Sequence, residues 1–250
     1  MNLGRLITVL EAFAAAGRPL SAAELEAATG VPRPTCYRML QTLSEHGLLQ
    51  DEAGRGRYQI GERLLRLALT GQSDFDIRRA AEPKLIEAAD RFGEAVFLSR
   101  FRGDGVEIIH VATPSDPAVS FIHPGLGKRP MHACSCSKVI AAFADADYQN
   151  NVLTGPLKAY TPRTTRDEAT LRAEFEEIRQ RGYAECVEEI DLGVTSVAAP
   201  IRIDNLGAAF SVGSTGSVRR FGEDRRRELG DALKTLANDI ATSFRISLAA

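Results

Sequence analysis

Residues 20–40 read LSAAELEAATGVPRPTCYRML, two short helical patterns on either side of a Gly-Val-Pro turn. Ser21 followed three residues later by Glu24 forms a capping box, so a helix opens there and runs to about Thr29 and Gly30. Leu20 precedes the cap, where it can staple the chain's approach, and Leu25 and Ala28 supply an inward face. A second helix starts about Pro34, because a locked φ and a missing N–H cost nothing in a first turn. Cys36, Leu40 and Leu43 form its apolar stripe with Met39 beside it, and Gly47 ends it. Two helices across a tight glycine-containing turn predict a helix-turn-helix.

The flanking segments complete a winged domain. Residues 3–16 place Leu6, Val9, Leu10 and Phe13 on one helical face, and Gly17 stops that helix. After Gly47, Leu48 to Gln50 reads as a strand, residues 51–56 hold two glycines and Arg55, and Tyr58 to Ile60 returns as a second strand. That is a hairpin with a flexible tip. The outer side of the second helix of the motif presents Arg33, Thr35, Tyr37, Arg38 and Gln41, and the wing carries Arg55 and Arg57. Arginine and glutamine on a helix can read base edges in the major groove of double-stranded DNA, while wing arginines suit phosphates or the minor groove. The bland alternative is a solvated polar face on a small helical module, with Tyr37 packed against the wing.

Charge does not decide between them. The chain has 250 residues and a formal net charge of -2, and its first sixty residues carry six arginines against six acids. A DNA-binding unit this neutral needs two copies on one site, so a homodimer is expected. The 44% apolar and 26% charged composition is that of a soluble globular protein. No apolar run reaches the eighteen residues needed to cross a bilayer, and no basic segment followed by an apolar one opens the chain. Cysteines at 36, 134, 136 and 186 show no disulfide framework, which predicts a reducing, cytoplasmic setting.

Beyond residue 61 a helix over 62–70 leads to a break near 71–74, then to a helix over 76–91 carrying Ile77, Leu85 and Ile86. Strands are expected over 95–98 and 106–111, and over 194–203 and 208–212 with a turn at 204–207. Helices are expected over 136–144 and 168–181. A closing helix over 223–244 has Leu229, Leu233, Leu236 and Ile240 inward.

Several segments, in this order and spacing, resemble the IclR-type bacterial transcriptional regulators over nearly the whole chain. They are residues 20–40, Leu43 to Leu48, RYQIG at 57–61, GKRPMHA at 127–133, Gly182-Tyr183-Ala184, Glu188 and Glu189, Gly193, and VAAPI at 197–201. The resemblance implies an α/β (α+β) protein. Residues 1–61 would be the winged helix-turn-helix, 62–74 a linking helix, and 75–250 an effector-binding and oligomerisation domain with an antiparallel sheet flanked by helices. It further implies operator DNA and a small-molecule effector as partners, a dimer or dimer of dimers, and effectors that are often organic acids or aromatic catabolites.

The segment bordering the effector pocket in that family corresponds to Gly127, Arg129, Met131, His132, Ala133 and Cys134 here. Many members carry an aspartate and a cysteine or small residue at the positions of Cys186 and Ser196, so this chain is expected to lack the carboxylate at that position, while Glu188 and Glu189 remain for a pocket, structural or surface role. Ser211 on a neighbouring strand is a further candidate donor, and Phe97, Ile109, Phe121, Leu192 and Val197 are candidate walls. A helix beginning near Ser135 or Ser137, capped by one of them, would turn backbone N–H groups toward a carboxylate. Lys138 lies close by, but can equally point to solvent.

His132, Cys134 and Cys136 are the nearest approach to reactive chemistry. The CxC lacks a second pair for a structural zinc site, and no acid is tied to His132 as an orienter. The sequence therefore calls for no cofactor, metal or catalytic set. A metal- or thiol-redox-responsive regulator using Cys134 and Cys136 stays open, as do plain packing of these cysteines and a winged helix that binds protein instead of DNA.

Overall fold

The computed structural model describes residues 3–52, 54–103, 105–116, 118–119, 121–144, 146–202 and 208–249, leaving out the side chains of 62, 65, 66, 69, 70 and 245–249. The expected turn at 204–207 lies outside the described residues. The chain divides into two compact units after Gly71.

In the first unit the order is α1 (Leu3–Ala16), β1 (Leu20–Ser21), α2 (Ala22–Thr29), α3 (Arg33–Glu45), β2 (Leu49–Asp51), β3 (Arg57–Ile60) and α4 (Glu62–Gly71). The capping box forms as read: the Ser21 hydroxyl accepts from the Glu24 amide, and the Glu24 carboxylate accepts from the Ser21 amide at 2.8 Å. Val9, Phe13, Leu20, Leu25, Cys36, Met39, Leu40, Leu43 and Leu49 share one buried core. Ala28 is exposed; Ala22, at the start of the helix, takes the inward place instead. The hairpin carries a third strand, with β3 between β1 and β2 and both pairs antiparallel. Gly61 lets β3 leave the sheet beside the end of α3. A Cβ there would meet the Gly47 carbonyl oxygen at 2.4 Å, so only glycine fits.

The second unit is built on a six-stranded antiparallel sheet in the order β6-β5-β4-β9-β8-β7. Its elements are α5 (Asp74–Phe92), β4 (Ala95–Phe101), β5 (Val106–Ala112), β6 (Gly127–Arg129), α6 (Ser135–Ala142), α7 (Ala146–Thr154), α8 (Glu168–Arg181), β7 (Ala184–Val187), β8 (Val194–Arg202), β9 (Ala208–Ser217) and α9 (Glu223–Ala249). Helices α5 and α9 pack against the sheet and each other, and α6 packs against the sheet and α8. Leu229, Leu233, Leu236 and Ile240 are buried along α9, as their spacing requires. On α5, Ile77 and Leu85 are buried with Ala81, Ala88 and Ala89, while Ile86, one position round the helix, is exposed. No helix among the described residues is long and apolar enough to cross a membrane.

Candidate functional site

Two places in the molecule concentrate unspent chemistry, one in each unit. On α3, Arg33, Tyr37, Arg38 and Gln41 are exposed and Thr35 is half-buried. Tyr37 does not pack against the wing; the Arg33 guanidinium lies over its ring, 5.9 Å from the centroid. The Arg33 amide donates to the Glu26 carboxylate at 3.0 Å, but neither the Arg33 nor the Arg38 guanidinium has an ion-pair partner among the described residues, and Arg55 stands exposed on the wing. Arg57 is also engaged within the unit. Its guanidinium donates to the Pro19 carbonyl at 2.8 Å and lies 3.4 Å from Glu24, so it fastens β3 to the capping box while its side chain stays partly exposed. Arg18 holds the same carboxylate at 2.7 Å. The near-neutral charge of this unit is therefore sorted: one acid holds Arg18 and Arg57, and the guanidinium groups of α3 and the wing tip have no ion pair among the described residues.

In the second unit, antiparallel register brings Cys186 of β7, Ser196 of β8 and Thr215 of β9 into one row. Phe97 of β4 pairs with Gly213, where a Cβ would sit 2.3 Å from the Phe97 ring, so the glycine gives that ring its place. With Ile108, Val194, Arg129 and Cys134, these side chains floor a cavity of about 570 Å3, its mouth included. Its outer wall comes from Ile122, His123 and Pro124 on one side and Ile190 and Asp191 on the other.

Of the effector residues expected from sequence, Cys134, Cys186 and Ser196 line this cavity, as does Arg129. Gly127, Met131, His132, Ala133 and Ser211 do not: the turn after β6 directs Met131, His132 and Ala133 into packing, and Gly127 and Ser211 lie elsewhere on the sheet. His132 is buried, with Nε2 3.1 Å from the Lys158 carbonyl, and burial lowers its pKa. Met131 accepts from the Tyr148 hydroxyl, Ala133 is buried, and Gly127 sits on β6. Ser211 lies four positions along β9 from Thr215, where its hydroxyl meets that of Ser99 at 2.5 Å. Among the expected walls, Phe97 lines the cavity. Ile109 and Val197 are buried elsewhere, and Phe121 and Leu192 are exposed.

Cys134, not a serine, is the N-cap of α6, and no side chain caps that terminus. Ser135 instead bonds Ser196 at 2.7 Å, tying the helix start to the row on the sheet. Lys138 neither reaches the cavity nor solvent. It is fully buried, 2.6 Å from both Glu174 and Glu189, and although burial opposes its charge the two carboxylates raise its pKa. Glu188 takes a positive φ of 58°, and its carboxylate accepts from the Gly193 amide. The Thr161 and Thr164 hydroxyls donate to the carbonyls of Glu188 and Glu189, both at 2.6 Å. These bonds hold the loop that presents Ile190 and Asp191.

Cys186 lines the cavity without a carboxylate, and the acid at this site is one that sequence reasoning missed: Asp191, five residues beyond it, lines the cavity, whereas Glu188 and Glu189 do not. Sequence reasoning also missed Ile108, His123, Ile190, Val194 and Thr215. Thr215 becomes readable only with the register, as the antiparallel partner of Ser196. Among the described residues no group of three His, Cys, Asp or Glu side chains could hold a metal ion.

A winged helix-turn-helix with unpaired arginines, followed by a sheet domain that encloses a cavity, defines a DNA-binding regulator of transcription. The IclR helix-turn-helix model matches residues 3–53, and the bacterial transcriptional regulator IclR C-terminal model matches residues 70–242. The chain belongs to the IclR family of bacterial transcriptional regulators. Its relatives regulate transcription and are not enzymes.

It is 30% identical to the glycerol operon regulatory protein of Streptomyces coelicolor over 249 residues, covering 100% of this chain and 96% of the relative. The protein of the same name from Streptomyces griseus is 31% identical, covering 89% and 87%. An IclR regulator structure from Silicibacter shares the fold, with a TM-score of 0.66, 24% identity and coverage of 98% and 96%. An IclR homologue from Microbacterium hydrocarbonoxydans, solved in complex with 4-hydroxybenzoate, has a TM-score of 0.62 and 24% identity, covering 98% and 99%.

Proposed function

We propose that the chain reads double-stranded operator DNA as a homodimer and that its DNA affinity answers to a small carboxylate-bearing metabolite in the cavity of the second unit. Arg33, Thr35, Tyr37, Arg38 and Gln41 would contact base edges and phosphates, with Arg55 on the backbone beside them. Four free cysteines suit a cytoplasmic setting.

The observation that carries the ligand class is Arg129. It lines the cavity without a carboxylate partner among the described residues, and its buried Nε has no hydrogen-bond acceptor. Its Nη2 donates to the carbonyls of Pro124 and Gly125, which fixes the guanidinium in place. Beside it is the uncapped start of α6. A fixed cation next to a helix N-terminus recognises an anion. The apolar surfaces of Phe97, Ile108, Ile122 and Ile190 suit a compact carbon skeleton, aliphatic or aromatic, and Asp191 and Ser196 can accept from its hydroxyls. The 4-hydroxybenzoate bound by the structural relative has this combination of groups.

Two experiments test the reading. In gel shifts against the chain's own upstream DNA, Arg38→Ala should weaken specific binding roughly ten- to a hundredfold with no loss of fold. Binding that survives unchanged would remove α3 as the reading helix. In a thermal-shift screen of hydroxybenzoates, aliphatic hydroxy acids and glycerol, carboxylates should raise the melting temperature, and Ser196→Ala should shrink the shift. A response to glycerol alone would overturn the anionic ligand class.

A further inference from the structure

We propose that Cys134 and Cys136 form a peroxide-oxidisable dithiol in the cavity wall, a modification site independent of whatever ligand the cavity takes. Their sulfurs are 3.2 Å apart. A disulfide is about 2.05 Å long, so closure asks for a movement of roughly 1 Å. Cα atoms two residues apart lie no farther than about 7 Å, close to the separation of about 4.4–6.8 Å that disulfides bridge. Cys134 is extended, with φ -94° and ψ 137°, and Cys136 lies in the first turn of α6, so the chain turns both side chains together.

The two sulfurs differ in access and in charge. Cys134 lines the cavity, whereas Cys136 is completely buried behind it. Burial alone would push the Cys136 thiol up. The hydrogen bond from Cys134 and the charge of Arg129 outweigh it and hold the Cys136 thiol below its ordinary value. A position at a helix N-terminus favours the thiolate further. The same hydrogen bond, with burial, pushes the Cys134 thiol well above its ordinary value, so Cys134 keeps its proton and holds it against the Cys136 sulfur. Cys186 also lines the cavity, but burial pushes its thiol up to about 12, so it stays protonated and inert. Cys36 is likewise raised by burial, in the other unit.

A small hydroperoxide in the cavity meets Cys134 first. In the singly deprotonated pair, as the Cys134 sulfur attacks the peroxide oxygen its proton passes to the Cys136 sulfur, the O–O bond breaks, and hydroxide leaves. Cys134 is then a sulfenic acid. The Cys136 sulfur attacks it, the S–S bond forms, the S–O bond breaks, and the released hydroxyl leaves as water with the Cys136 proton. Two electrons have moved from the sulfur pair to the peroxide. The product replaces a thiol donor in the cavity wall with a disulfide that donates nothing.

The test uses the full-length reduced protein, exposed to hydrogen peroxide, alkylated, digested with trypsin and mapped by mass spectrometry. Two of the four thiols should disappear together, joined within the one peptide that ends at Lys138, and dithiothreitol should restore them. A C36S/C186S variant should behave identically. C134S, checked for fold by circular dichroism, should lose the product and keep the Cys136 thiol. A disulfide using Cys186, a bond between two chains, irreversible overoxidation at either sulfur, or thiols that survive peroxide able to oxidise free cysteine would each overturn the proposal. The wild-type arm decides even if C134S fails to fold.

Discussion

Lys138 is the residue on which the second unit's interior most depends. Its ammonium is fully buried between Glu174 on α8 and Glu189 beside the cavity loop. A buried ion pair adds little net stability, but breaking one leaves an uncompensated charge that costs about 3–5 kcal/mol. Lys138→Met should therefore lower the unfolding free energy of this unit by about that much in urea melts. Adding Glu189→Gln should recover most of the loss, because it removes the stranded carboxylate; Glu174 is partly exposed and tolerates its charge. Equal loss in the single and double variants would mean that packing, not charge, is what Lys138 supplies. Sequence could not place this side chain, because a lysine four residues after a helix cap reads the same whether it faces a ligand, water or a neighbouring helix. Ser196 and Ser211 show the same limit. Both lie on adjacent strands of one sheet, but only the register puts Ser196 opposite Thr215 and Ser211 opposite Pro200.

Among the elements, α2 and β3 are coupled through one carboxylate. Glu24 caps its own helix and binds Arg18 and Arg57. Its pKa falls from 4.5 to about 2, first through the Ser21 amide and then through the Arg18 side chain and the Ser21 hydroxyl. A carboxylate depressed in the folded state stabilises above its unfolded pKa and loses that contribution as pH falls through the folded one. The winged unit should thus lose stability between pH 4.5 and about 2. Glutamine keeps the capping box but drops the charge. Glu24→Gln should therefore flatten the acid limb of the melting profile, while its melting temperature near neutrality falls only modestly because the arginines are substantially exposed. An acid limb unchanged by the substitution would sink the assignment. Elements with a full apolar stripe were legible from the residues: α1, α3, α8 and α9 stand close to where periodicity puts them. The missed ones carry too little pattern. β1, β6 and β7 span two to four residues, and α7 holds two adjacent asparagines that are poor helix formers.

At the scale of the molecule, family membership was legible because it rests on the order of many weak segments, whereas the ligand was not, because cavity shape depends on loops brought together from distant positions. The outer wall joins residues 122–124 to 190–191, stretches with no mutual signal in the chain. A regulator of this design works only if ligand and DNA are thermodynamically linked. Ligand in the second unit must bind one arrangement of the protein better than another, and the arrangements must differ in operator affinity. Linkage is reciprocal: if a carboxylate changes operator affinity by a given factor, saturating operator must change the carboxylate's affinity by the same factor, typically 5- to 150-fold. Titrating a thermal-shift hit into protein alone, and into protein saturated with operator, measures both sides. Equal factors are expected. A ligand that binds tightly but alters neither affinity would make the cavity a binding site without a regulatory role. Arg38→Ala supplies the control, since it should lower operator affinity while leaving ligand affinity in the free protein unchanged.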